Sequence, residues 1–298
     1  ALPGNPPFPV FFNPEKPIHT ICITGTDHDL LVTTNQHVLR TRIEDIKNGI
    51  LILKKITRVK QIFLMVFGSG APISNDIGAE IRPVKAGYPA ALPQIMVRDL
   101  LGRAVPPGKT CEDLGVSFFT AEAVASIGRA FASNAIPVSK IITVIGKDGK
   151  RNMVSARIGT PVQDIFSALG IVVQDKDRLI VGGPMTGLAV FSESYPVLAD
   201  TDSVMVQDHA GITPVSDYPC INCGECVRIC PAKIPVNMLV RYLETGRYEE
   251  AADLYDLYCC IECGLCSYVC VSRMPVFQYI RLGKYELSRR QAAEASHD

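Results

Sequence analysis

Apolar and polar positions change their period several times along the chain. Ile18 to Thr24 and Gln61 to Phe67 are short apolar runs that read as buried strands. Between them, Asn35 to Leu53 repeats its apolar positions at helical spacing. The second run ends at Gly68-Ser69-Gly70. Ile81 to Val84 is a further strand candidate, Leu92 to Leu101 a helix, and the alanine-rich stretch Thr120 to Ala132 a helix by propensity. Gly102 to Gly115, with Pro106, Pro107 and Gly108, reads as a loop. Strand and helix in alternation predict a parallel α/β sheet.

The pattern changes after Pro137. Lys140 to Gly146 and Asn152 to Ile158 flank a Gly149-Lys150 turn, Val162 to Leu169 is a short helix, and Arg178 to Val181 and Ser203 to Gln207 are strands. Hairpin, helix and further strands in so short a stretch suit a β-grasp unit. His209 to Pro219 reads as a linker. Beyond it, Val236 to Tyr258 forms two helices broken at Thr245-Gly246. The expected architecture is α/β: a Rossmann-like parallel domain over 1–135, a β-grasp domain over 136–210 and a helical module over 211–298.

Thirty basic and thirty acidic residues give a formal charge of zero, so composition offers no argument for nucleic acid as a partner. With 47% apolar residues, there is ample material for packed cores. No run approaches the ~20 apolar residues of a spanning helix. The most apolar region, Gly49 to Phe67, is interrupted by Lys54, Lys55, Arg58 and Lys60. Membrane association is therefore expected to be peripheral. The chain begins at Ala1, which fits a removed initiator methionine or a processed start.

Chemistry enters with the cysteines. Eight of them form two copies of one pattern, Cys220-x-x-Cys223-x-x-Cys226-x-x-x-Cys230 and Cys260-x-x-Cys263-x-x-Cys266-x-x-x-Cys270. This is the spacing of two [4Fe–4S] clusters, each needing four thiolates. In two-cluster ferredoxins the fourth cysteine of each run serves the other cluster. That assigns Cys220, Cys223, Cys226 and Cys270 to one cluster, and Cys260, Cys263, Cys266 and Cys230 to the other. Zinc, disulfides and unliganded thiols are the competing readings. Zinc sites favour separate pairs, and disulfides suit small secreted domains. Ile221/Ile261, Gly224/Gly264, Pro235/Pro275, Val236/Val276 and Arg241/Arg281 recur at the same offset, marking an internal duplication. Val271 stands where the first run has Pro231. Cys22 reads as a core thiol and Cys111 as a loop residue without a partner. Cys259 could substitute for Cys260 by a register slip. Thiols and clusters point to a reducing, cytoplasmic setting.

The order of these parts, with Gly182-Gly183-Pro184-Met185-Thr186-Gly187 in the second unit and the doubled cysteine run, resembles the C subunit of Rnf-type electron-transport complexes. Related proteins include the flavin subunit of respiratory complex I and the cobalamin reductase of propanediol-utilisation compartments. The resemblance implies an FMN and NADH site in the α/β domain and a further N-terminal domain, which a short form of this kind is expected to lack. Four of the implied flavin or nucleotide segments depart from the family pattern. The glycine-rich loop becomes Leu2 to Pro9, where Gly4 alone remains and Pro6 and Pro7 have no N–H to offer an anion. The acidic segment becomes Thr24 to Leu30, keeping Asp27 and Asp29. The YPxG segment becomes Tyr88 to Ala91, and the NVxT segment becomes Thr120 to Ala123 with an added Glu122. FMN is accordingly not expected, although Asp27 and Asp29 leave a different nucleotide pose open.

The other polar groups have plainer readings. His28 and His37 with Asp27 and Asp29 lack a ligand spacing, and His19, His209 and His297 stand alone. Gly182 to Gly187 lacks the lysine of a phosphate loop and reads as a tight turn at a domain interface. The basic residues at 273, 281, 284, 289 and 290 read as an exposed helix face or a docking patch. The expected function is an electron relay in a membrane-associated oxidoreductase complex on the inner face of the cell membrane. Its partners would be other redox subunits, with a ferredoxin or a flavoprotein among them, and no catalytic residue is assigned. A flavin-dependent NADH dehydrogenase subunit and an adaptor with structural clusters are the alternatives.

Overall fold

A computed structural model of the chain describes residues 2–68, 75–216 and 218–295. Ser69-Gly70 and His297 lie outside the described residues. The first part runs β1 (Thr20–Thr24), α1 (Thr34–Thr41), α2 (Ile43–Thr57), β2 (Gln61–Phe67), β3 (Glu80–Val84), α3 (Pro93–Leu101), β4 (Val116–Thr120) and α4 (Ala121–Ser133). Its four strands are all parallel, in the order β3-β2-β1-β4. The direction of winding reverses between β1 and β4, so their C-terminal ends, Thr24 beside Thr120, flank the crevice where such sheets bind ligands.

Two features differ from the pattern. The helix expected over 35–53 is two helices, because Arg42 leaves helical geometry; its N–H still closes the first helix on Val38 O at 2.8 Å. An arginine inside an apolar period carries no breaker signal. β4 falls outside the expected strands, being five residues squeezed between a loop and a helix. Both faces of the central strands β1 and β2 are covered, which is why they read as continuous apolar runs, while the edge strand β3 is largely exposed. On one face Ile21, Ile23, Leu64 and Phe119 pack with Ile46, Ile50, Val124 and Ile127 of α2 and α4. On the other lie Cys22, Phe63, Met65, Val84, Met96, Val97 and Cys111. α2 and α4 approach closely through glycines: a Cβ on Gly49 would sit 2.1 Å from Val124 O, and one on Gly128 2.0 Å from Asp45 O.

The second sheet contains β5 (Ser139–Ile145), β6 (Arg151–Arg157), β7 (Arg178–Val181), β8 (Leu188–Val190) and β9 (Ser203–Gln207), in the order β6-β5-β9-β7-β8, with α5 (Val162–Ala168) between β6 and β7. Only β5 and β9 run parallel. β8, three residues long, is too short to register in the apolar pattern. Both sheets belong to one compact unit, residues 1–105 and 110–212, while 106–109 and 213–298 form another.

The second unit is helical: α6 (Glu225–Ile229), α7 (Val236–Glu244), α8 (Tyr248–Tyr255), α9 (Leu265–Tyr268) and α10 (Val276–Ala295). The break after Glu244 falls at Thr245-Gly246, Gly246 taking a left-handed φ of 73°. Ile234, Leu239, Val240, Leu243, Ala251, Leu257, Met274 and Ile280 form its core. Each fully buried large aliphatic side chain of this kind contributes about 1.5–3 kcal/mol. Among the described residues, no helix is long and apolar enough to cross a membrane.

Candidate functional site

The duplication is repeated in the backbone. Asn222 and Glu262 adopt left-handed φ values of 59° and 55°, Gly224 and Gly264 of 77° and 74°, and Lys233 and Arg273 of 58° and 54°. The first two pairs of reversals lie in the loop that feeds α6 or α9, and the third follows the fourth cysteine of each run. The amide of Asn222 donates to Cys220 Sγ at 3.4 Å, and that of Glu262 to Cys260 Sγ at the same distance. Val227 N and Ser267 N both bond to the carbonyl of the glycine that opens their helix, at 3.1 Å. Glutamate, lysine and arginine seldom take a positive φ.

Cys230 crosses to the second run. It lines one small cavity together with Cys260, Cys263 and Cys266, closed by Ile234, Phe277 and Ile280. Cys230, Cys263 and Cys266 are only 8%, 7% and 8% exposed. Burial pushes the Cys260 thiol up to about 11 and raises Cys266 and Cys263 as well; Cys260 and Cys263 act on Cys266, and Cys230 acts on Cys263. In the first run, burial raises Cys226 and the neighbouring Cys220 and Cys223 add to it. Cys223 is exposed, and Cys220, Cys226 and Cys270 are partly buried. α6 packs on α9, the helix that precedes Cys270.

Four soft donors around one apolar cavity, with amides aimed at sulfur, fit a thiolate-bound cluster. Iron–thiolate bonds would replace the protons that burial otherwise keeps on these sulfurs. Among the described residues, the group of three ligand atoms lying within 4.8 Å of one another is Asp177, Asp208 and His209. No cysteine trio among them is drawn together as a single zinc at 2.3 Å bonds would require. Cys259 adjoins the cavity-lining Cys260 but does not line that cavity.

At the crevice of the parallel sheet, the residues that could have met a nucleotide are bonded within the chain. Gly4 N donates to Ala199 O at 2.7 Å, and a Cβ on Gly4 would lie 2.3 Å from Ala123 N. Ser126 Oγ donates to Pro3 O at 2.9 Å, while Phe8 and Phe11 pack on Phe119 at 6.0 Å between ring centres. The segment before Asn13 thus lies on the start of α4. The first-turn amides of that helix are taken: Ala123 N by Thr120 Oγ1 at 3.0 Å and Glu122 N by Asn35 Oδ1 at 3.5 Å. Asp27 caps α1, accepting from Asn35 N at 2.7 Å and from Gln36 N and Nε2. Burial raises its carboxyl, and those bonds oppose the rise.

Asp29 does something the sequence did not announce. Its carboxylate accepts from Met185 N at 3.1 Å, Thr186 N at 2.7 Å and Thr186 Oγ1 at 2.6 Å. It therefore fastens the Gly182–Gly187 turn, and a Cβ on Gly183 would strike its Cγ at 2.3 Å. Glu122, wholly buried, faces Arg42 at 3.5 Å and Ile141 N at 3.4 Å; burial raises its carboxyl, with Arg42 and Lys140 opposing. Lys140, also wholly buried, donates to Ala199 O and Thr201 O. Only a charge embedded in an apolar run hinted at these groups.

Cys22 and Cys111 are free thiols, as expected, and the reading of His209 needs correction. Cys111 is 7% exposed and neighbours Cys22; burial lifts both thiols to about 12, leaving them inert. His209 is not alone: its Nδ1 lies 3.3 Å from Asp177 Oδ1, and Lys147 occupies the same carboxylate at 2.5 Å. Among the described residues, His28 and His37 join no metal-type group.

No family model matches the chain. Among curated proteins it is 30% identical over 245 residues to the C subunit of the ion-translocating oxidoreductase complex of Rhodobacter capsulatus, covering 78% of this chain and 47% of that one. It is 24% identical to the C subunit of the Na(+)-translocating ferredoxin:NAD(+) oxidoreductase complex of Acetobacterium woodii, covering 80% and 56%. The chain thus spans about half the length of these curated relatives. In fold alone it resembles an NAD+-reducing [NiFe]-hydrogenase in the air-oxidized state, with a TM-score of 0.50 at 14% identity over 79% of this chain and 48% of that one. With some four-fifths of its length aligned to several such proteins, the chain is a relative of the C subunits of ion-translocating oxidoreductase complexes.

Proposed function

We propose that this chain is an electron relay that carries two [4Fe–4S] clusters within a membrane-associated oxidoreductase complex. The observation that carries the reading is the cavity shared by Cys230 with Cys260, Cys263 and Cys266. It supports the crossed pairing of two-cluster ferredoxins, which leaves Cys220, Cys223, Cys226 and Cys270 for the other cluster. When bound, the clusters would supply one-electron storage. The chain's own residues fix their separation, exclude water from the covered one and offer amides to the sulfurs. The partners are the other redox subunits of the complex, with a ferredoxin or a flavoprotein beyond them. The chain sits peripherally on the inner face of the membrane.

The α/β unit serves as scaffold and takes neither FMN nor NADH. The occupied amides of α4 and the committed carboxylates of Asp27 and Asp29 support this reading. The mixed sheet over 136–210 is a β-grasp unit attached to that scaffold through Asp29.

Gentle anaerobic purification from native membranes, with partners identified and low-temperature EPR after dithionite reduction, tests the relay. Two reducible cluster signals in a preparation containing other redox subunits are expected. Reduction by NADH in the isolated chain would instead establish a dehydrogenase. Clusters that no donor reduces would establish a structural role.

A further inference from the structure

The two halves of the duplication are not equally covered. Cys223 and Ile221 of the first run are exposed, while Cys263 is buried and Ile261 partly so. The helices that follow also differ. α7 is nine residues long, whereas α10 continues for twenty. The first turns of α10 reach the second run, where Phe277 and Ile280 line the cavity. Lys284, the counterpart of Glu244, donates from Nζ to Cys260 O at 2.7 Å and to Glu262 Oε1 at 2.9 Å. Arg281 Nε stands 4.0 Å from the other oxygen of Glu262. Glu262 in turn is the counterpart of Asn222, which is neutral and accepts from the Asn237 side chain at 2.7 Å.

We propose that Lys284 and Glu262 set the reduction potential of the covered cluster, held by Cys230, Cys260, Cys263 and Cys266, and leave that of the open cluster unchanged. The inference rests on the two-cluster reading above. Reduction adds one electron to a core already surrounded by four thiolates, taking it from 2+ to 1+ with no bond broken and no proton moved. A cation beside Cys260 favours the added negative charge, and a carboxylate opposes it. Both groups lie partly covered, Lys284 at 23% and Glu262 at 39% side-chain exposure, so solvent screens them less than a surface pair. Lys284 is a positioning and tuning residue: it reaches the backbone oxygen of a ligand, not the sulfur.

EPR-monitored titration of the holoprotein with dithionite as reductant tests this in wild type, Lys284→Met, Lys284→Arg and Glu262→Gln. Lys284→Met should shift one reduction equilibrium on the order of tenfold toward the oxidised form, which is about 59 mV more negative for a one-electron couple. Lys284→Arg should restore it, and Glu262→Gln should move the same cluster in the positive direction. The shifted signal should be the one lost in Cys230→Ser. Midpoints that stay put in Lys284→Met and Glu262→Gln, or that move equally for both clusters, would overturn the proposal. Should Lys284→Met fail to fold, Glu262→Gln decides alone. Iron and sulfide counted in the same samples separate the two levels: absent clusters defeat the relay itself, and intact clusters with unmoved potentials defeat only this tuning.

Discussion

Asp27 and Asp29 after β1, and Cys230, Cys263 and Cys266 around the covered cavity, are withdrawn from water to nearly the same degree. Their surroundings differ. The carboxylates are ringed by donors of the chain itself, from Asn35, Gln36, Met185 and Thr186. The thiols face one another and aliphatic side chains, and burial raises Cys263 and Cys266. A buried polar group that is already satisfied closes a site, since breaking its bonds to admit a ligand costs more than the ligand returns. Buried thiols gathered around one cavity are the arrangement that metal coordination satisfies.

The largest effect expected from breaking this contrast lies in the cysteine unit. Cys230→Ser should remove the covered cluster and about half of the bound iron, while Cys270→Ser should remove the open one. EPR of the two variants checks it; loss of the first-run cluster in Cys230→Ser would refute the crossed pairing. Next comes the clamp. Asp29→Ala leaves three donors of the Gly182–Gly187 turn unmatched and should lower unfolding free energy by about 3 kcal/mol, measured by urea melts. Gly183→Ala presses a methyl on Asp29 and should cost about 2 kcal/mol in the same assay. If Asp29→Ala were neutral, the carboxylate would be free for a ligand after all.

The smallest effect is one of pH. Burial raises Glu122 above its unfolded value, so between the two values the folded chain holds a proton that the unfolded chain has lost. Stability should therefore fall as pH rises through that window, and Glu122→Gln should flatten the slope. Asp27 is raised in the same direction and remains in both proteins, so the difference between the two urea–pH profiles isolates Glu122. A slope unchanged by the substitution would contradict this account.

Much of the cysteine unit was legible because its signals are local. Three ligands within seven residues, a repeat at fixed offset and a Thr-Gly break all lie within reach of a short window. The unequal cover of the two runs was not legible, since both have the same ligands at the same spacing and differ in how deeply they are buried. In the other unit the strands β2, β7 and β9 matched the apolar pattern to the residue. The bonds that close the crevice did not show, because Asp29 and Thr186 are 157 positions apart and Glu122 meets Arg42 only once α1 ends. Long-range polar pairs leave no periodicity.

The central claim is that the chain's redox chemistry resides in the cysteine unit and that the α/β unit carries no flavin. Iron, acid-labile sulfide and acid-extracted FMN measured on one anaerobically purified sample test it directly. About eight iron and eight sulfide per chain with only trace FMN are predicted, as two [4Fe–4S] clusters require. Near-stoichiometric FMN, or iron near one cluster's worth, would contradict it.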